Sequence, residues 1–181
     1  YFDIRKDVLY CDSINSKKRK NCIIVLNIIL ECLLSWFAPI LVFTTDEIYD
    51  LIKKDDHSIH ENTFPKIPKS WKNETLSKRW KNLIKIKQIA NIAIEEKRSS
   101  KEIGSSLEAA LKITTNKVNY DLLEGLDLAE YFITSKAEKF KSDNSGEIKF
   151  EVLKSKGNKC PRCWKILEDK CKRCEEVIKN T

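Results

Sequence analysis

Two Cys-x-x-Cys pairs lie near the end of the chain, Cys160 with Cys163 and Cys171 with Cys174, and seven residues separate them. Each pair places two thiols on one tight turn, so that the two turns can surround a single ion with four thiolates. Soft, anionic sulfur ligands favour zinc, and four of them leave no coordination position for a reactive water molecule. The spacing therefore predicts one structural Zn²⁺ ion; two disulfides or four idle thiols are the alternative.

Basic residues and one aromatic residue surround these cysteines. Cations neutralise phosphate groups and a flat ring stacks on an unpaired base, so the composition is typical of a nucleic-acid-binding surface. The candidate RNA-binding residues are Lys159, Arg162, Trp164, Lys165 and Arg173. A second interpretation is equally open at this point: Trp164 covers the metal as a miniature core, and the lysines keep the tail soluble.

The composition of the whole chain favours binding over catalysis. Lys and Arg number 34 against 27 Asp and Glu, and the net charge of +7 favours an anionic partner. The four glycines are scattered and form no phosphate-binding loop, and the two histidines provide no nucleophile–base constellation. The residues by themselves predict a binding module whose terminal segment is cross-linked by a metal ion.

The remaining cysteines and the absence of methionine bear on the redox compartment of the chain and on whether it is part of a longer protein. Cys11, Cys22 and Cys32 lie far apart in sequence and are expected to be small buried hydrophobes. An odd number of cysteines, seven, without a signal peptide indicates a reducing compartment. The chain contains no methionine, not even at position 1, so we expect it to be the C-terminal piece of a longer protein.

A long apolar run dominates the first third of the chain. Residues 22–43 are almost entirely apolar apart from the polar stripe of Asn27, Glu31 and Ser35. A membrane span is the alternative, but Glu31 is costly inside a bilayer and Pro39 breaks the helix. We therefore expect the central helix of a bundle, buried on most sides, with a bend after Pro39.

The segments on either side of this run are less regular. Residues 1–10 show no clear period and predict an irregular segment, after which Ser13 or Ser16 caps the apolar helix. Beyond the bend, Thr44 or Thr45 is expected to cap a second helix. The acidic residues Asp46 and Glu47 would then lie in its first turn.

A loop and a long helix follow. Residues 57–71 contain two prolines and predict a loop in which His57 and His60 are solvated and bind no metal. Apolar residues at helical spacing over residues 74–98 predict a long helix.

The period changes to that of strands in the last third. Residues 111–115, 131–134 and 148–152 predict strands, residues 119–124 a short helix that Gly125 ends, and residues 141–146 a turn. The expected fold is mainly α. A helical-bundle domain (1–100) is followed by a small α+β junction subdomain (101–156) and a four-cysteine zinc knuckle (157–181).

Four stretches resemble the anticodon-binding region of bacterial-type isoleucyl-tRNA synthetases, a family of class I aminoacyl-tRNA synthetases. The stretches are residues 1–12, residues 34–49 with their Pro39, Thr44 and Glu47, residues 101–109, and residues 159–164 together with 171–174. The second stretch is shared with related class I enzymes, and the last two separate the isoleucyl type from them. The gap between the cysteine pairs is shorter than the pattern of that family.

The resemblance implies a tRNA-recognition module that grips the anticodon stem-loop of isoleucine tRNA, with Arg162 and Trp164 at the anticodon bases. ATP, the catalytic site and the editing site would belong to upstream domains of the same chain. The implied protein is a cytoplasmic monomer without a membrane segment. Two other functions stay open: a zinc-finger DNA-binding or repair module, and a zinc-stabilised protein-interaction domain.

Overall fold

The computed structural model describes residues 1–54, 57–142 and 148–179. These residues form two compact units, one of residues 14–72 and the other of residues 1–13 with the chain from Asn73 onward. The helices of the described residues are α1 Phe2–Cys11, α2 Lys17–Phe37, α3 Val42–Lys53, α4 Glu74–Ser99, α5 Lys117–Leu122, α6 Leu128–Phe132 and α7 Lys172–Lys179. The strands are β1 Ala109–Thr115, β2 Lys136–Lys141, β3 Lys149–Lys154, β4 Asn158–Lys159 and β5 Ile166–Leu167. The predicted fold class, mainly α with a small sheet and a four-cysteine end, is confirmed.

Helix α1 corrects the prediction of an irregular start. Val8 and Cys11, three residues apart, are buried, and Ile4 packs against the core of the larger unit. The Arg5 guanidinium also pairs with the Glu130 carboxylate at 2.5 Å. Charged and aromatic residues hide this apolar period in the sequence, and packing against distant residues stabilises the helix.

In the smaller unit, α2 and α3 are joined by the expected bend after Pro39. The Ser16 hydroxyl accepts a hydrogen bond from the Arg19 amide at 3.4 Å, which confirms one of the two predicted caps of α2. The predicted start of α3 is wrong, because the helix begins at Val42 with Leu41 as its N-cap residue. The Thr45 hydroxyl lies within the helix and donates to the Leu41 carbonyl at 2.9 Å.

The predicted role of Asp46 in the first helical turn is also wrong. Its carboxylate instead accepts hydrogen bonds from the Ser58 hydroxyl at 2.6 Å and from the Ile59 amide at 3.1 Å. Asp46 thereby fixes the short 3₁₀ turn Ile59–Glu61 onto α3. A second 3₁₀ turn, Lys69–Trp71, ends the connecting segment.

Helix α2 is less buried than predicted. Cys22, Cys32 and Leu34 are buried, but Trp36 and Phe37 are largely exposed, because α3 and one 3₁₀ turn cover a single side of it. By length and composition α2 could cross a membrane, and few of its residues are buried. One such helix is weak evidence for a membrane protein, because core helices of soluble proteins can have the same length and apolar composition.

Both histidines of this unit are exposed. The His57 ring lies 3.3 Å from the Glu61 carboxylate, and the His60 ring lies 3.1 Å from the Val42 carbonyl. Among the residues that the structure describes, the one group of side chains close enough to hold a metal ion is that of the four cysteines near the end.

Helix α4 provides one wall of the core of the larger unit and confirms the predicted long helix. Its buried side chains, Leu83, Ile86, Ala90 and Ile94, are three or four residues apart and form one face. They pack with Leu111 and Ile113 of β1, which are also fully buried. This burial against the sheet fixes the direction of the helix.

The sheet has the strand order β2-β1-β3, with β2 parallel and β3 antiparallel to β1. Leu111 lies opposite Ala137 on one side and Val152 on the other. The predicted strands at residues 111–115 and 148–152 are confirmed within β1 and, from residue 149, β3. The predicted short helix is found as α5, with Gly125 in a left-handed conformation (φ 74°) after it.

The predicted strand at residues 131–134 is wrong. Tyr131 and Phe132 form the end of α6, because the Asp127 carboxylate caps that helix by accepting from the Glu130 amide at 3.1 Å. The strand lies further along, as β2, whose lysine-rich sequence carries almost no apolar alternation. Of the predicted turn at residues 141–146, residues 143–146 lie outside the described residues.

The three predicted domains, 1–100, 101–156 and 157–181, stay a prediction, because the two units group residues only by proximity.

Candidate metal centre and nucleic-acid interface

The four cysteines predicted as metal ligands lie together. Their sulfur atoms are all within 4.8 Å of one another, and Cys163 Sγ lies 3.8 Å from Cys171 Sγ. A tetrahedral zinc ion with Zn–S bonds of about 2.3 Å requires sulfur atoms about 3.8 Å apart. The donor set therefore fits a structural zinc ion without rearrangement of the backbone.

Two turns place these thiols. The first pair follows β4 on a turn that is closed by the Trp164 amide, which donates to the Cys160 carbonyl at 2.9 Å. The Cys160 amide donates to the Lys165 carbonyl, also at 2.9 Å. The second pair spans the start of α7, where Cys174 lies in the first turn. The hairpin β4–β5 and α7 together form the metal knuckle, residues 157–179.

Gly157 is required at the base of this hairpin. Its φ of 118° is a conformation that residues with a side chain rarely adopt. A Cβ atom here would lie 2.1 Å from the Leu167 carbonyl oxygen, and that oxygen belongs to the paired strand β5. Any other residue would therefore push the two strands of the hairpin apart.

The thiols of the centre differ in acidity. Burial opposes ionisation of Cys160, but hydrogen bonds from the Cys163 and Arg162 amides outweigh it and lower the pKa of Cys160 to about 7. Burial raises the pKa of Cys163, and burial together with the neighbouring sulfurs raises the pKa of Cys174 to about 12. A bound cation would lower the pKa of every ligating thiol, because it favours the thiolate form of each one.

Helix α1 holds the knuckle in place through charged contacts, here called the α1 clamp (Asp7, Asp12, Arg162, Lys165 and Arg173). The Arg173 guanidinium donates to both carboxylate oxygens of Asp7, at 2.7 and 2.8 Å, and to Asp12 at 3.1 Å. Lys165 Nζ lies 3.8 Å from the Asp7 carboxylate. These are charge-assisted contacts at one partly buried seam.

Arg162 completes the α1 clamp at the C-terminal end of the helix. Its guanidinium donates to the carbonyl oxygens of Cys11 at 2.6 Å and Tyr10 at 3.1 Å. A cation at this end also compensates the negative pole of the helix dipole. The Cys11 thiol returns a hydrogen bond to the Arg162 carbonyl at 3.6 Å, so Cys11 is buried against the metal centre.

The pKa values of the α1 clamp reflect this pairing. Burial raises the pKa of Asp7, but the hydrogen bonds and charge of Arg173 outweigh it, and the net pKa lies below the usual value. The pKa of Arg173 is raised, first by its hydrogen bonds to Asp7. Asp7 and Asp12 could not be predicted as partners of Arg173, because 166 and 161 residues separate them from it and no local spacing indicates the contact.

The five residues predicted to bind RNA fall into two groups. Arg162, Lys165 and Arg173 direct their cationic groups at α1. Lys159 and Trp164 face solvent on the knuckle, and the Trp164 side chain is 60% exposed. The interpretation of Trp164 as a cover over the metal does not agree with that exposure.

Ser135 attaches the knuckle to the sheet of the same unit. Its hydroxyl accepts a hydrogen bond from the Ile166 amide of β5 at 2.6 Å and donates to the Leu107 carbonyl. The metal hairpin therefore has two supports, the α1 clamp on one side and Ser135 on the other. The α1 clamp acts beside both cysteine pairs, through Arg162 and Arg173, whereas Ser135 acts on Ile166, just after the first pair.

Comparison with known proteins identifies the family of this chain. Isoleucine–tRNA ligases are similar to nearly the whole chain: that of Pelagibacter ubique is 56% identical over 173 residues, covering 96% of this chain. Those of Agrobacterium fabrum and Bartonella henselae are 39% and 38% identical, each over 93% of this chain. The chain spans 19%, 18% and 18% of the length of these three relatives. A family model described as the anticodon-binding domain of tRNA ligase matches residues 1–114. The chain therefore belongs to the family of anticodon-binding domains of tRNA ligases.

Proposed function

We propose that this chain is the tRNA-recognition part of an isoleucine–tRNA ligase and binds the anticodon stem-loop of isoleucine tRNA. The match of residues 1–114 to the anticodon-binding family carries the proposal. The relatives that are named isoleucine–tRNA ligases support the amino-acid specificity. The net charge of +7 suits an RNA partner, because each phosphate neutralised by Lys or Arg releases a counterion.

The metal of the knuckle is proposed to be one zinc ion held by Cys160, Cys163, Cys171 and Cys174. Four thiolates at these sulfur separations satisfy its preferred geometry and leave no position for substrate or water. The ion would therefore cross-link the two turns of the knuckle and take no part in bond making. Its binding energy would serve as folding energy for a segment with few apolar residues.

The proposed RNA contacts follow from exposure. Trp164 offers an exposed ring on which a base can stack, and Lys159 offers an exposed cation for phosphate. Arg162, Lys165 and Arg173 are also proposed RNA contacts. Their side chains are partly buried, and their pairing with α1 gives them a second task, which is to orient the knuckle. A tRNA phosphate would contact these three cationic side chains in addition to their existing partners in α1.

The activity of the whole ligase is proposed to require other domains. ATP-dependent aminoacylation and editing would be performed upstream in the same polypeptide, so the chain alone should not attach isoleucine to tRNA. We expect a monomer in the cytoplasm, where tRNA is charged.

This proposal is tested by measuring binding to an isoleucine tRNA transcript and to the same transcript with a replaced anticodon. Both measurements use one stated salt concentration. The zinc-loaded protein should prefer the native anticodon. Trp164→Ala should weaken binding about 5- to 140-fold, the loss of one stacked base. Phe140→Ala serves as the control, because Phe140 is an exposed aromatic residue of the larger unit that lies outside residues 1–114 and outside the knuckle.

Equal binding to both transcripts would leave only a basic phosphate-binding surface and would contradict anticodon recognition. Preference for a lesion-bearing DNA duplex would indicate the repair module instead. Salt-insensitive binding to a protein, with no affinity for RNA, would indicate the interaction domain.

A further inference from the structure

Helix α4 contains a concentration of positive charge with no acidic residue among it. Residues 75–94 of this helix include five cationic residues and no Asp or Glu, while the net charge of the whole chain is +7. The five are Lys78, Arg79, Lys81, Lys85 and Lys87. Uncompensated positive charge on one helix favours an anionic partner, provided that the protein does not use these cations itself.

Two of the five cations are used within the protein. The Arg79 guanidinium donates to the carbonyl oxygens of Glu124 at 2.6 Å and Leu122 at 3.0 Å, at the end of α5. Lys87 Nζ donates to the Tyr131 carbonyl oxygen at 2.9 Å, in α6. Carbonyl groups near a helix end have no partner within the helix, so these two side chains satisfy them. Arg79 and Lys87 therefore have structural roles.

The other three cations form one exposed row, here called the α4 lysine row (Lys78, Lys81 and Lys85). They are three and four residues apart, on the side of α4 opposite the buried Leu83 and Ala90. Within the part of the chain that the structure describes, their ammonium groups form no ion pair and no hydrogen bond. Like charges at this spacing repel one another along the helix. The row therefore presents three cations that the protein leaves uncompensated.

The spacing of the α4 lysine row suits the phosphates of one nucleic-acid strand. With a rise of 1.5 Å per residue, the row extends about 10.5 Å along the helix axis. Successive phosphates of one strand advance about 3.4 Å along the axis of B-form DNA, so the row covers about three of them. The lysine side chain is flexible and binds phosphate as a point charge, so it can adjust to the A-form geometry of an RNA stem.

We infer that the α4 lysine row binds the phosphate backbone of the tRNA, on one strand of the anticodon stem. The inference rests on the proposed function and adds a contact that positions the RNA without reading its sequence. Helix α4 belongs to residues 1–114, which match the anticodon-binding family, and this favours RNA over an acidic protein as the anionic partner. The opposite face of α4 is packed in the core of the larger unit, so the row has a fixed support.

The salt dependence of binding to an isoleucine tRNA transcript tests this inference. Lys78→Gln, Lys81→Gln and Lys85→Gln are made singly and together in the zinc-loaded protein; Gln and Lys have similar helix propensities, so α4 should stay folded. Each substitution should weaken binding about 5- to 8-fold at about 0.1 M salt. The triple variant should also reduce the slope of the logarithm of the association constant against that of the salt concentration by about 2 to 3.

The transcript with a replaced anticodon provides a second measurement. The triple Gln variant should lose the same factor in affinity for both transcripts, because contacts to phosphate carry no sequence information. Its free energy of unfolding should equal or exceed that of the unchanged protein, because the repulsion between the lysines is removed. A structural role of the three lysines would instead lower the free energy of unfolding.

Two control variants separate phosphate binding from other effects. Arg at all three positions of the row keeps the charge and should keep both the affinity and the salt slope. The combination of Lys117→Gln, Lys149→Gln and Lys154→Gln removes the same net charge from exposed positions of the larger unit outside residues 1–114. This combination should leave the salt slope unchanged, because these lysines are not assigned to the RNA backbone.

The inference is overturned if the triple Gln variant of the row keeps the salt slope of the unchanged protein, or if the control combination loses as much affinity. A loss confined to the transcript with the native anticodon would also overturn it, because the row would then read bases. Tighter binding of polyglutamate than of tRNA, lost in the triple variant, would assign the row to an acidic protein instead. Failure of the unchanged protein to bind tRNA would overturn the proposed function as well, so the two failures are distinguishable.

Discussion

Gly157 shows how one residue type decides whether the metal centre can form. We expect Gly157→Ala to weaken zinc binding strongly, because its Cβ would lie 2.1 Å from the Leu167 carbonyl oxygen. Zinc titration with a colorimetric competitor measures the effect. Gly125→Ala is the matched control: it also has a positive φ, of 74°, but the space around it is open. Gly125→Ala should lower the free energy of unfolding by only about 1 kcal/mol and should leave the zinc affinity unchanged.

The acidity of the thiols predicts proton release on metal binding. At pH 7 the pKa of Cys160, about 7, leaves it half ionised, whereas Cys163 and Cys174 have raised pKa values and are protonated. These three thiols alone should therefore release about two and a half protons when zinc binds, and zinc affinity should fall steeply as the pH is lowered. A pH indicator in weak buffer during zinc titration counts the protons. Release of one proton or fewer would show that the four thiols are not all ligands.

At the residue scale, local spacing was informative and distant pairing was not. The two Cys-x-x-Cys motifs predicted the four neighbouring sulfurs because both members of each pair lie on one turn. Asp7 and Arg173 come together only through the tertiary fold, so no pattern in the sequence indicates their contact.

At the scale of elements, α1 and the knuckle act as one body through the α1 clamp. Asp7→Asn should destabilise the larger unit by about 1–2 kcal/mol, allowing for the partial exposure of Arg173. It should also reduce the anticodon preference while zinc remains bound. Denaturant unfolding and tRNA binding measure the two effects. Asp3→Asn, whose pair with Lys6 is exposed, should leave both unchanged.

The same pair predicts a pH dependence. Because the folded pKa of Asp7 is lowered from 3.8, its ionised form stabilises the folded state above pH 3.8. That contribution is lost as the pH falls through the lower, folded pKa. The stability difference between the unchanged protein and Asp7→Asn should therefore shrink below about pH 3.8. A difference that persists undiminished in stronger acid would contradict the role of the Asp7 carboxylate.

Elements with a strong local period were predictable, and those defined by distant contacts were not. Helix α4 repeats apolar residues every three or four positions, and the prediction of residues 74–98 differs from the helix by one residue. Strand β2 is an edge strand with the sequence Lys-Ala-Glu-Lys-Phe-Lys, and its pairing with β1 rather than its composition makes it a strand. The apolar residues just before it end α6 instead, because a capping aspartate precedes them.

At the scale of the molecule, two features describe what the chain presents to partners. The larger unit presents the metal knuckle with its exposed ring and cations. The smaller unit presents an apolar surface that includes Phe43, 89% exposed, and much of α2. The sequence predicted the apolar run but not its exposure, because burial depends on how many helices are available to cover it.

The central claim, that this chain recognises an anticodon stem-loop, is tested most directly by competition. Full-length isoleucine tRNA is bound to the zinc-loaded protein, and an isolated RNA hairpin with the sequence of the anticodon stem-loop is added at constant salt. We predict that this hairpin displaces the tRNA, and that a hairpin with the same stem and a replaced anticodon does so far less effectively. Displacement by an acceptor-stem hairpin, or equal displacement by both anticodon hairpins, would contradict the claim.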